Sequence, residues 1–122
     1  MNDADITYHL VARAYWDAQL ADQPYVPEAF AADGFIHCTD GIERVIEVAN
    51  RYYRDDAREF VVLVIEKSRI ASEWRYDDEE RIYPHVYGAL NREAIVDVLD
   101  VERAAEGAFV SAGAARIDAR RS

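Results

Sequence analysis

The sequence predicts a small α+β domain, a mixed, mostly antiparallel sheet carrying two or three helices. Three observations predict it. The chain has 122 residues, the usual size of one domain. Its hydrophobic fraction is 51% and its charged fraction 31%, enough apolar surface for a core. Short segments rich in β-branched and aromatic residues alternate with turn signals, and the helical patterns are inserted early instead of regularly between strands.

Residues 1–5 read as a loose acidic start, 6–111 as a single domain, and 112–122 as a tail that is basic at its tip. Ile6 to Val11 reads as a strand around His9. From Ala12 to Ala21 the residue types favour helix, with Ala14, Ala18 and Ala21 near one face. Pro24 and Pro27 break the chain. Glu28 to Asp33 then makes one or two helical turns, ended by Gly34 in a left-handed cap. Phe35-Ile36-His37-Cys38 reads as a second, short strand. The clearest helix follows: Asp40 is placed as its N-cap, with Glu43 three residues later as in a capping box. Ile42, Val45, Ile46, Ala49, Tyr52 and Tyr53 recur at the spacing of a buried face, and Asp55-Asp56 closes it. Phe60 to Ile65 has no polar interruption and predicts a strand buried on both faces. Glu73–Tyr76 and Arg81–Tyr83 are weaker strand candidates around an acidic turn, Asp77 to Glu80, read as solvated. Pro84 to Asn91 is loop-like with a tight glycine, and Ala94–Val101 and Gly107–Ser111 supply the last strands.

Charge narrows the function. Lys and Arg total 14 against 24 Asp and Glu, a net charge of −10. Such a surface repels phosphate backbones and anionic lipid, so neither nucleic acid nor a membrane is an expected partner. The longest apolar run is too short to span a bilayer, and the acidic N-terminus lacks a secretory signal pattern. One cysteine cannot form an internal disulfide, and a reducing, cytoplasmic setting is expected. Neither a phosphate loop nor a Gly-x-Gly-x-x-Gly turn is present. An acidic surface docking a basic partner fits the charge but has no motif.

The three histidines, His9, His37 and His85, all sit in apolar, strand-like settings. A buried imidazole must satisfy two nitrogens, which makes histidine an expensive core filler. For any single one, a satisfied core or edge histidine is the bland alternative; for the set, a shared pocket is the sharper reading. The tyrosines and tryptophans around them (Tyr8, Trp16, Tyr25, Trp74, Tyr83 and Tyr87) fit such a pocket as well as a core. No metal site is expected, because the local spacings of zinc ligands are missing, and His37 and Cys38, as strand neighbours, point to opposite faces. Cys38 reads as a small buried thiol instead of a nucleophile.

The segments Tyr8-His9-Leu10-Val11, Gly34-Phe35-Ile36-His37-Cys38-Thr39, Ala49-Asn50-Arg51-Tyr52-Tyr53 and Tyr83-Pro84-His85-Val86-Tyr87-Gly88-Ala89-Leu90-Asn91 resemble domain-of-unknown-function family 952, over about Ile6 to Val110. That family is more remotely similar to the ADP-ribosyltransferase fold, including its RNA 2′-phosphotransferase branch. The resemblance implies NAD as a substrate, with His9 at the ribose and His37 at the ring or diphosphate. It implies a late-strand position near His85 and Tyr87 where a glutamate is usual, Glu93 being the nearest here. Asn50 and Arg51 would then position polar or phosphate groups, or else make ordinary helix-end contacts. The expected function is a His-lined nucleotide-type pocket, with ADP-ribosyl-type transfer on NAD. The alternative is a non-catalytic binding module on the same fold.

Overall fold

The structure, a computed structural model, describes residues 3–113. Its strands are β1 (Ile6–Ala12), β2 (Ile36–His37), β3 (Phe60–Glu66), β4 (Trp74–Tyr76), β5 (Pro84–Val86), β6 (Ile95–Arg103) and β7 (Phe109–Gly113). The helices are α1 (Arg13–Ala18), α2 (Phe30–Asp33) and α3 (Ile42–Tyr52). The α+β class is as expected. The single mixed sheet becomes two antiparallel ones, ordered β1-β3-β6-β7 and β2-β5-β4.

The apolar run forms β3, which lies between β1 and β6. Because side chains alternate along a strand, Val61, Leu63 and Ile65 enter a core with Ile36, Cys38 and Val86 of the second sheet. Phe60 and Val62 turn the other way, toward Ala49 and Val45 of α3. Register carries this alternation to the neighbour: His9 pairs with Leu63 and Val11 with Val61, so His9 faces the core between the sheets.

The second sheet hangs from β1 by a backbone exchange. The Tyr8 amide donates to the Thr39 carbonyl at 3.0 Å, and the Thr39 amide donates back at 2.8 Å. Within it, Ile36, Val86 and Trp74 form one cross-strand row, packed on the core. The next row, His37, His85 and Arg75, falls on the opposite face.

Several local expectations are corrected. Helix α1 stops at Ala18, where Gln19 turns extended, and Leu20 is left 68% exposed with no apolar stripe to prolong the helix. The N-cap of α3 is Gly41, with no side-chain bond. Asp40 instead accepts from Lys67 Nζ at 3.3 Å and the Tyr76 hydroxyl at 2.5 Å. A buried ammonium needs a counter-charge more than the helix needs a cap. Tyr52 and Tyr53 keep the helical spacing but are 69% and 39% exposed, because the end of α3 overhangs a cleft. The segment Arg81–Tyr83 is a turn: Arg81 has a left-handed φ of 57°, and the Asp78 carboxylate takes the Ile82 and Tyr83 amides. The strand begins one residue later, at Pro84, a position where a missing N–H is tolerated. The Gly34 cap forms as expected, with φ 81°.

Asp3–Asp5 form a short 3-10 turn, pinned where Asp5 accepts from the Ser68 amide and hydroxyl. At the other end β7 runs to Gly113; the rest of the expected tail, 114–122, lies outside the described residues. Among the described residues no helix is long and apolar enough to cross a membrane.

Asn50 fastens α3 to β7. Its Oδ1 accepts from the Phe109 amide at 2.7 Å and its Nδ2 donates to the Phe109 carbonyl at 3.0 Å. Asn50→Ala is expected to lower unfolding stability by about 1–3 kcal/mol, since it leaves the Phe109 backbone without its partner. Urea denaturation checks this, and any ligand affinity of the protein should be unchanged.

Candidate functional site

Pairing on β1 aims His9 inward, and there it is saturated. Its Nδ1 lies 2.7 Å from the His37 carbonyl and its Nε2 2.9 Å from the Tyr25 hydroxyl. A carbonyl only accepts, so the proton sits on Nδ1, and Nε2 accepts from Tyr25. Burial pushes the Tyr25 hydroxyl well above its ordinary pKa, which keeps that donor protonated. Burial also lowers the His9 pKa to about 4, against the raising effect of the His37 carbonyl. His9 is therefore a neutral imidazole that ties β1 to β2.

His37 and His85 face each other across β2 and β5, with ring centroids 5.5 Å apart and edge-on. Phe35 stacks on His85 at 4.0 Å and tilts against His37 at 4.6 Å. Each imidazole has its own carboxylate: His37 Nε2 lies 3.0 Å from Asp33, and His85 Nδ1 lies 2.9 Å from Asp77. Asp77 is a hub, accepting also from the Tyr87 hydroxyl and from Arg75 Nε at 2.9 Å. The Tyr87 bond, then Arg75 and His85, hold its pKa down to about 2.

His9, Asp33, Phe35, His37, Asp77 and His85 line one cleft of about 700 Å³, within the range of small-molecule sites. His9, His37 and His85 all border it, with Phe35, Tyr25, Tyr52, Tyr53 and Tyr83 as aromatic walls. Of the other expected residues, Arg51 is on the lining; Asn50 and Tyr87 are not, since Asn50 holds β7 and Tyr87 holds Asp77. Tyr8, Trp16, Trp74 and Glu93 also lie off it, Glu93 accepting from Asn91 at 3.3 Å. Cys38 is 2% exposed, and burial, with Asp40 adding, pushes its thiol up to about 12, so it holds no thiolate. Among the described residues no His, Cys, Asp and Glu cluster fit for a metal ion is present.

Sequence reasoning missed Asp33, Phe35, Arg58 and Asp77 as parts of the cleft. Asp33 was visible as the fourth residue before His37. Asp77 was hidden in an acidic run with nothing to single it out.

Fold and cleft together define a class: a two-sheet α+β domain with histidines from separate strands on a single opening. The chain belongs to the family described as protein of unknown function (DUF952), whose model matches residues 10–98 and so spans His37 and His85. It is similar to protein CC0527 from Caulobacter crescentus. The crystal structure of that protein is 26% identical, covers 86% of this chain and 93% of its own, and superposes with a TM-score of 0.71. Its solution NMR structure is 26% identical over 84% of this chain and 90% of its own, with a TM-score of 0.65. No curated protein matches the chain.

The state of His9 sets an acid limit on the fold. Its pKa falls from 6.5 when unfolded to about 4 when folded, so the unfolded chain binds the extra proton. Its contribution is full above pH 6.5 and is lost as pH falls toward 4, a change of about 3 kcal/mol. His9→Gln should flatten that part of the slope. Urea unfolding of both proteins at several pH values across this window checks it, the carboxylates common to both cancelling in the comparison.

Proposed function

We propose that the cleft binds a nucleotide-type ligand, NAD being the case the family resemblance implies, and that ADP-ribosyl-type transfer is its reaction. The observation that carries this reading is the meeting of three imidazoles, remote in sequence, on one aromatic-walled cleft that also holds a cation unpaired among the described residues. Two arginines border it. Arg58 is taken up by Asp56 at 2.7 Å and Glu28 at 3.3 Å. Arg51 has the Tyr52 ring 5.9 Å away and no acidic partner among the described residues. In a chain of net charge −10, a guanidinium left without a carboxylate beside a cleft is suited to a phosphate. The Phe35, His37 and His85 rings offer flat surfaces for a base or a nicotinamide.

One observation favours the second reading, a binding module without turnover. The carboxylates on the lining already have partners: Glu28 has Arg58, Asp33 has His37, Asp77 has its three donors, and Asp78 has two backbone amides. None is free to steady a developing positive centre in the manner of a transferase glutamate.

Calorimetric titration with NAD, ADP-ribose and nicotinamide separates the cases. NAD and ADP-ribose are expected to bind, and Arg51→Gln should weaken ADP-ribose by about 10- to 100-fold while leaving nicotinamide nearly unaffected. Absence of binding by all three at millimolar concentration defeats the proposal. Release of nicotinamide from NAD identifies a transferase, and binding without release identifies the module.

A further inference from the structure

His9, His37 and His85 share the cleft but differ in what their second nitrogen is free to do. His9 has both nitrogens bonded within the fold. His85 has one: Asp77 accepts from Nδ1, so the tautomer is fixed and the lone pair is placed on Nε2. The ring is also fixed in the other two directions. Phe35 lies nearly parallel to it, at 17° and 4.0 Å, and the His37 edge abuts it. The carboxylate is itself held, through Arg75 Nε on Oδ1 and the Tyr87 hydroxyl on the oxygen that serves His85. Arg75 is in turn braced by Glu73 at 2.8 Å and lies over the Tyr87 ring at 4.1 Å. Such a chain of bonds, ending beside a cleft on an imidazole with one nitrogen unbonded among the described residues, is what a general base requires. His37 is less constrained: its partner, Asp33, is the last residue of the short helix α2, and the His37 side chain is 61% exposed.

We propose that His85 Nε2, oriented by the Asp77–Tyr87–Arg75 set, accepts the proton of a hydroxyl nucleophile, water included, brought against the ligand in the cleft. This rests on the transfer reading given above. In that reaction the nucleophile's oxygen bonds to the ribose C1′ of NAD as its proton passes to Nε2. The C1′–N bond breaks, and its electron pair leaves on neutral nicotinamide. His85 touches the reacting atoms; Asp77 and Tyr87 are positioning residues.

The first test needs no turnover. In protein labelled with 15N at histidine, the His85 ring at pH 8 should be in the Nδ1–H form, and Asp77→Asn should shift it toward the Nε2–H form that predominates in free histidine. Acylation by diethyl pyrocarbonate at pH 8, mapped by mass spectrometry, should modify His85 readily and spare His9. Asp77→Asn should slow the His85 reaction about 3- to 10-fold and leave His37 unchanged. Tyr87→Phe, which removes one hydroxyl and keeps the ring, should give a smaller change in the same direction and covers the case in which Asp77→Asn misfolds. An Nε2–H ring in the unaltered protein, or acylation indifferent to both substitutions, overturns the proposal whatever the ligand proves to be.

The second test uses nicotinamide release. Asp77→Asn should lower kcat with little change in KM and displace the acid limb of the pH profile. Asp77, Asp78, Arg75, Tyr87 and His37 are the charged or titratable groups about the ring. Unchanged kcat and pH profile overturn the role of His85. Absence of release from NAD with the ring signature intact overturns the NAD reading alone.

Discussion

A strand with no polar side chain from Phe60 to Ile65 cannot leave either face in water, and the architecture follows from covering both. Val61, Val62, Leu63 and Ile65 are fully buried, and each such side chain is worth about 1.5–3 kcal/mol removed from solvent. Helix α3 covers one side through Val45 and Ala49, and the small second sheet covers the other through Ile36 and Val86. That second sheet is therefore required for stability. Its inward row serves the core, so its outward row is released for other work, and His37, His85 and Arg75 occupy it.

The three imidazoles divide labour according to solvent access. His9, 7% exposed, joins two strands and has no spare bonding capacity. The two on the second sheet each take a carboxylate on one nitrogen. The strongly acidic composition thus has a local counterpart: the cleft carries its own acids, and they are spent on histidines, arginines and backbone amides instead of repelling what enters.

Much of the frame was legible in the chain. The β3 run, the helical face through Val45 and Ala49, the Gly34 cap and the opposed directions of His37 and Cys38 follow from periodicity and backbone sterics, which are local. What escaped was decided by partners distant in sequence. Asp40 caps nothing because Lys67, in another element, claims it. Pro84–Val86 is a strand because β2 and β4 flank it, although its own composition reads as a loop. Tyr52 and Tyr53 have core spacing and lie outside the core because the end of the helix overhangs the cleft. In the cleft, histidines stand out in any sequence by their rarity, whereas Asp77 is one acid among four consecutive ones and is distinguished only by what folds onto it.

Cys38 adjoins His37 yet points into the packing between the sheets, at 2% exposure, with its amide bonded to the Pro84 carbonyl. A thiol so placed can meet a reagent only when the second sheet lifts from the first, and this chain has no second thiol to confuse the signal. The molecule therefore carries a built-in clock for the breathing of its own seam: the rate at which Cys38 takes up a disulfide reagent measures how often that wall comes undone.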